Sequence, residues 1–406
     1  MLQRRAFRWV ILLSAGCFLI AFGVLGLSRG GPSQTGRDAS FLYLAGLAWL
    51  RGLGAYGPAV AGVDDPWLAE ASARYDFAYP PQIAPLCLLL AAFSPSHARW
   101  AMAAINVASA VALAAFSARL ARDGDQTSGT AGAAPWLVFA LVLGSFSTAF
   151  VTWAGQTTLI VTLGLMAGWY YTRRGQWVIG GLLLAVSTIK PQLSVLAILW
   201  LVLERRWLAL GTMAAGVSAF AAVPISVGGP VTLGLEWIEA AQRYAQGPYN
   251  TLGSRMIFSL QNVLYLAGLP APNLLPLALL PFGVLWHHRS RVPDGDVLGF
   301  LVGLSLVFGF GHSYDLAGLT PLVPAFWRHV HGRTAPSLLA LGLMLVITFP
   351  NSVLETFVRA PLVLQARVFA LMIALVWLAI MGCARVTPGR ARSVRDPHWA
   401  PSGLRP

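Results

Sequence analysis

Apolar runs close to the length of a bilayer crossing recur from one end of this chain to the other, and that recurrence limits the folds open to it. A helix needs about 20 apolar residues to cross a hydrocarbon core, and inside that core every backbone polar group must be paired within the chain. Such runs fall at 9–27, 82–94, 100–119, 135–151, 157–171, 177–189, 191–203, 208–227, 273–287, 297–311, 314–327, 336–349 and 366–383. With 57% hydrophobic and 11% charged residues among 406, a water-soluble core could not absorb them. The expected fold is an all-α polytopic membrane protein of about 11–13 transmembrane helices. We read residues 1–406 as a single transmembrane domain.

The net charge of +13 would point to nucleic acid in a soluble chain. Here the arginines sit in short clusters between apolar runs: Arg119/Arg122, Arg173/Arg174, Arg205/Arg206, Arg289/Arg291 and Arg328/Arg333, with a basic tail over 385–406. That is the signature of cytoplasmic loops, and it calls for no nucleic-acid partner. The run at 9–27 follows Arg4, Arg5 and Arg8 and lacks a small-x-small cleavage site, so it reads as an anchor. It delivers residues 28–80 to the outer, non-cytoplasmic face.

The outer loops 28–80 and 228–272 are expected to carry surface helices. Asp38 can cap an amphipathic helix with Phe41, Leu44, Ala45 and Ala48 on one side, stopped near Gly52 and Gly54. Asp65-Pro66 and the Glu70/Arg74 pair signal a second short helix. In the other loop Glu236, Glu239 and Arg243 share a face, and Gly247-Pro248-Tyr249-Asn250 reads as a turn. Crossing at both 82–94 and 100–119 would put Arg119 and Arg122 outside, so 82–94 either dips without crossing or breaks the charge rule.

Charged groups at the edge of an apolar span are costly and invite explanation. Asp38 follows Gly36-Arg37, and catalysis and capping fit it equally well. Lys190, the single lysine of the chain, stands at a proline break in Ile189-Lys190-Pro191-Gln192 and suits one phosphate; its bland role is a snorkelling loop lysine. His312 and Asp315, in His312-Ser313-Tyr314-Asp315, either contact sugar or phosphate or form an ordinary polar turn. Gly155-Gln156-Thr157-Thr158 can bind hydroxyls or merely start a helix. Tyr79 and its neighbouring aromatics can stack on sugars or form the interfacial belt. Cys17, Cys87 and Cys383 have no metal-like spacing, and nothing completes a metal site around His312 and Asp315. No metal or cofactor is expected.

These groups share one membrane side: a carboxylate at 38, a lysine at 190, a histidine and an aspartate at 312 and 315. A lipid-phosphate sugar offers an apolar tail to the bilayer and a charged, hydroxylated head at its surface. Transfer from it needs a base for the acceptor hydroxyl and groups to stabilise the departing phosphate. A transporter or flippase for a lipid-linked or anionic solute would also use membrane cations, but it predicts polar groups at mid-membrane and repeated halves. A scaffold subunit of an envelope complex, with Asp38 as a cap, is the third reading.

The chain resembles the bacterial polyprenyl-phosphate-sugar-dependent glycosyltransferases of family 87. The resemblance rests on Asp38 and the helix after it, Phe77-Ala78-Tyr79-Pro80-Pro81, Gly155-Gln156, Arg173-Arg174-Gly175 leading to Gly180-Gly181 and Lys190-Pro191, Arg205-Arg206-Trp207, and His312-Ser313-Tyr314-Asp315-Leu316. It implies a GT-C-like helical bundle in a bacterial inner membrane, with its site facing the periplasm or exterior. It implies inverting transfer of a hexose, typically mannose, from a polyprenyl monophosphate to a glycolipid, glycan or protein acceptor. Asp38 would be the base, with Lys190, His312 and Arg37 as candidates for the donor phosphate. Tyr79, Gln156, Gln192, Asn250, Tyr314 and Asp315 are the candidate sugar or acceptor contacts. Where the family often has Asn shortly after Gly-Gln, this chain has Thr157-Thr158.

Overall fold

The computed structural model describes residues 2–27, 34–57, 65–69, 71, 77–128, 135–327, 335–349 and 360–384. The Glu70/Arg74 pair, Arg328/Arg333 and the basic tail at 385–406 lie outside them. Among the described residues all regular structure is helical, apart from one isolated antiparallel bridge between Ile257 and His312.

The amino-terminal helix α1 (Leu2–Phe18) runs on through a π-helical turn at Leu19–Val24. Next come α2 (Ala39–Leu50), α3 (Ala84–Ala91, led by a 3-10 turn at Pro81–Ile83) and the long α4 (Pro95–Ser128). The run expected at 135–151 is broken into α5 (Pro135–Leu143) and α6 (Phe146–Ala154), bent by 41°. Ser145 sets the break, because its hydroxyl accepts from the Thr148 amide at 3.1 Å and caps α6. Then follow α7 (Thr158–Arg173), α8 (Trp177–Ser187), α9 (Pro191–Leu203), and α10 (Trp207–Phe220) with α11 (Ala222–Gly228) bent from it by 54°.

Helix α12 (Pro230–Ala245) and α13 (Leu260–Leu266) occupy the second outer loop. The remainder is α14 (Leu279–His287), α15 (Asp294–Phe308), a 3-10 segment at Ser313–Leu319, α16 (Leu322–Trp327), α17 (Ala335–Thr348), α18 (Pro361–Leu364) and α19 (Ala366–Ala384). Proline opens several of these helices, where its missing N–H costs nothing.

Among the described residues two helical stretches, Ala6–Val24 and Pro95–Arg122, are long and apolar enough to cross a membrane, or up to four if each bent pair counts as one span. Seven further apolar helices have 10–17 residues. Helices α7, α8 and α10 pack closely through small residues: a Cβ on Gly168 would press on Leu184, and one on Gly181 would meet the Ala209 carbonyl and Thr212. Such close backbone approach is how helices associate in lipid.

Two expectations for the first outer loop are corrected. Helix α2 is not an amphipathic surface helix; Ala39, Ser40, Leu42, Tyr43, Leu44, Ala45, Gly46, Ala48 and Trp49 are all buried around its circumference. It packs against α3 so closely that a Cβ on Gly46 would overlap the Cys87 carbonyl. Asp38 stands at its N-cap position but makes no side-chain cap bond. Helix α12 does lie at the surface, with Leu235 and Ile238 exposed and Leu233 and Ala240 buried.

The run at 82–94 forms a helix shorter than a crossing. The Pro81–Ala91 helix is about 16 Å long at 1.5 Å per residue, half of what a crossing needs.

Candidate functional site

The site forms where the starting ends of several helices meet. Asp38 immediately precedes α2, Gln156 and Thr158 open α7, Lys190 precedes α9, and His312 precedes the 3-10 segment. Asp38 is brought to Gln156 by a tight backbone join. The Gly36 amide donates to the Trp153 carbonyl at 2.6 Å and the Asp38 amide to the Ala154 carbonyl at 2.8 Å.

Gly155 makes this join possible. Its φ is +74°, and a Cβ there would lie 2.9 Å from both the Gly36 Cα and the Ala39 Cβ. A side chain would therefore be strained by its backbone and obstructed by its neighbours. The Trp67 indole closes the other side by donating to the Gly36 carbonyl at 3.1 Å.

The half-buried Asp38 carboxylate accepts a hydrogen bond at Oδ2 from the Gln156 amide. The Gln156 Oε1 in turn accepts from the Tyr79 hydroxyl at 2.7 Å. Tyr79 is fixed through its backbone, because the Tyr56 hydroxyl donates to its carbonyl at 2.8 Å. Burial pushes the Asp38 carboxyl above the usual carboxylate range, while Gln156, Lys190 and Arg37 pull against that rise. A carboxylate placed in this way is a stronger base than one in water.

Lys190 is not the lone cation that its sequence setting suggested. Its Nζ donates to Asp315 Oδ1 at 2.7 Å and to the Thr158 hydroxyl at 2.8 Å, and it lies 4.6 Å from the centre of the Tyr314 ring. Thr158 passes the bond on, donating to Asp315 Oδ1 at 2.9 Å. Asp315 is fully buried, and its Oδ2 accepts from the His312 amide at 3.0 Å. The pair is thus electrically balanced and hydrogen-bonded on both sides, which makes a buried ion pair tolerable. Gln82 fixes the break before Lys190 by donating to the Thr188 carbonyl at 3.1 Å.

His312 is held by the bridge to Ile257, with the Phe258 amide on the Gly311 carbonyl and the Ser313 amide on the Met256 carbonyl, both at 2.8 Å. Its Nε2 lies 2.7 Å from Asn250 Oδ1, and its ring stacks on Tyr314 at 4.9 Å. Burial lowers its pKa to about 4, outweighing the attraction of Asp315. The ring is therefore neutral near pH 7, and an oxygen acceptor at Nε2 places its proton on that nitrogen.

Of the candidate residues, Asp38, Tyr79, Gln156, Lys190, Tyr314 and Asp315 gather in one cluster, and Asn250 joins through His312. Arg37 is exposed beside it. Gln192 is half-buried in the first turn of α9, and its side chain makes no hydrogen bond among the described residues. Sequence reasoning missed Thr158 as the link between Lys190 and Asp315. It also missed Tyr244, whose ring lies 6.3 Å from His312. No signal in α12 marks Tyr244, whereas a threonine pair at a helix start was visible.

The apolar helices suggest a helical membrane protein, and this constellation gathers charged and hydrogen-bonding side chains where several of its helices begin. The model of glycosyltransferase family 87 matches residues 77–247, a stretch shorter than half the chain that contains Tyr79, Gln156, Thr158 and Lys190. This match supports membership of that family, and the protein is accordingly an enzyme that transfers sugar. Searches of curated proteins and of solved structures returned no match.

Proposed function

We propose that the enzyme moves a hexose, mannose first among them, from a polyprenyl-monophosphate donor to an envelope lipid or glycan acceptor, with inversion and with Asp38 as general base. The observation that carries this reading is the Asp38–Gln156–Tyr79 chain set beside the Lys190–Asp315 pair. One group of side chains thereby offers a raised-pKa carboxylate together with a cation.

In this mechanism Gln156 occupies Asp38 Oδ2 and leaves Oδ1 to take the proton of the acceptor hydroxyl. The acceptor oxygen attacks the anomeric carbon opposite the phosphate. The carbon–oxygen bond to the phosphate breaks, and its electron pair leaves with the polyprenyl phosphate. Helix starts carry partial positive charge, and four of them meet here, which favours a phosphate at this place. Neutral His312 adds no charge, and its Nε2 proton is given to Asn250. Lys190 reaches the site paired with Asp315. Arg37, exposed at the rim, meets the donor headgroup. The reading includes a many-span GT-C-like bundle in a bacterial inner membrane, a site open to the periplasm or exterior, and a reaction without cofactor.

The test is to incubate the purified enzyme with a panel of labelled polyprenyl-phosphate sugars and a membrane lipid extract and to read products by mass. A hexose-bearing product from a polyprenyl-phosphate hexose supports the reading. Transfer only from nucleotide sugars would overturn it.

A further inference from the structure

Two pieces of the sequence that resembles family 87, Arg173-Arg174-Gly175 and Arg205-Arg206-Trp207, take no part in the transfer site. They lie at the far ends of helices that build it. Helix α7 begins at Thr158 and ends at Arg173, α9 runs from Lys190 at its N-cap to Glu204 at its C-cap, and α15 begins at Asp294 and leads back to His312 and Asp315. With 16, 13 and 15 residues, these helices are about 20–24 Å long. Each therefore carries one group to the site and holds another at its opposite end.

The far groups form a cluster of their own. The Arg173 guanidinium joins the other two helices, with one terminal nitrogen on Glu204 Oε2 and the other on Asp294 Oδ1. Glu204 is held for that contact, because its Oε1 accepts from the Trp200 indole at 2.8 Å and Arg206 meets its Oε2 at 3.5 Å. The buried Trp169 ring backs the Arg173 guanidinium, 5.3 Å from its centre. The Arg173 and Glu204 side chains are only 17% and 13% exposed, so water and salt screen this pair less than a surface bridge. At the site end Thr158, Lys190 and Asp315 tie together the same three helical strands of the bundle. There the 3-10 segment lies so close to α9 that a Cβ on Gly318 would be 3.1 Å from the Leu193 side chain.

A helix is stiff along its axis, so a tie at one end sets the register at the other. One residue of sliding is about 1.5 Å. That would take the Lys190 Nζ out of hydrogen-bond reach of Asp315, now at 2.7 Å, and of Thr158, now at 2.8 Å. We propose that Arg173 is a positioning residue: by joining α7, α9 and α15 at their far ends it sets their register and keeps Lys190 seated between Thr158 and Asp315. Its effect on turnover rests on the sugar-transfer reading, whereas its effect on Lys190 does not.

Lys190 is the single lysine of the chain, so its amine reports on its own seating. The test is the rate at which acetic anhydride acetylates Lys190 in the purified full-length protein, read at its own peptide by mass, beside kcat and KM for a polyprenyl-phosphate hexose. Arg173→Gln should raise the acetylation rate severalfold and lower kcat by about 10–10²-fold with KM little changed. Arg173→Lys, which keeps the charge, should recover part of both. Leu343→Ala, which removes a buried side chain of α17, should lower the melting temperature yet leave Lys190 acetylation and kcat at their wild-type values. If Arg173→Gln does not fold, Asp294→Asn severs the α15 arm alone at an exposed carboxylate, and the same directions are expected of it. Acetylation of Lys190 at the wild-type rate in the folded variant would overturn the proposal. An equal rise in Leu343→Ala would overturn it too, marking the effect as general loosening. Faster acetylation in the variant, with no transfer even by the wild type, would uphold the positioning role and sink the proposed reaction instead.

Discussion

Gln156 decides how Asp38 behaves, because it bonds one carboxylate oxygen and thereby fixes the direction of the other. Its bond also lowers a pKa that burial raises. Gln156→Leu should therefore move the acid limb of the kcat profile to higher pH and cost about 10²-fold in kcat through misplacement. An unchanged acid limb would separate Gln156 from the base. As the proposed base, Asp38 would act when deprotonated, so activity should rise with pH through a pKa above the ordinary 3.8. His312, lowered to about 4, adds no limb at neutral pH. Lys190→Met alone strands a buried aspartate and should cost about 3–5 kcal/mol, whereas Lys190→Met/Asp315→Leu should regain most of that stability without regaining activity. Thermal unfolding of the two variants in detergent checks this; equal melting temperatures would contradict it. Each charged member was visible in the sequence as a costly residue at the edge of an apolar run. Their pairing was not, because Lys190 and Asp315 are 125 positions apart and no local pattern links them.

Among the elements, Gly155 carries the most consequence, ending α6 in the left-handed conformation and letting the Asp38 loop lie against it. Gly155→Ala should destabilise by about 1–2 kcal/mol from backbone strain alone. Because its Cβ would push on Gly36 and Ala39, kcat should fall far more than that stability loss implies. Normal kcat in a variant of lowered melting temperature would show that the join does not position Asp38. Helix positions themselves were readable: the proline at 191 and the charged turn after 203 bounded α9 as expected. The capping role suggested for Asp38 failed because its backbone is already helical, at φ −74° and ψ −21°, whereas a capping residue is extended. The amphipathic pattern assigned to α2 failed because α3 covers the face that would otherwise have met solvent.

At the scale of the whole molecule, the arrangement proposed above keeps Ser94 on the face of the site, because the Pro81–Ala91 helix is too short to cross, and puts Gln176, beyond the far end of α7, on the other. With Cys17, Cys87 and Cys383 replaced by serine, single cysteines at Ser94 and Gln176 should react with an impermeant maleimide from opposite sides of the membrane. Labelling of both from one side would invert the arrangement. The run lengths revealed the helical class, but they could not show where spans bend, since the breaks at Ser145 and Ala221 interrupt otherwise apolar sequence. The account rests on Asp38 as the base, and the direct measurement is Asp38→Asn in purified enzyme, with donor binding and single-turnover transfer followed on the same preparation. It predicts donor affinity within a few-fold of wild type and transfer slowed by about 10²–10⁴-fold; full-rate transfer by Asp38→Asn would contradict it.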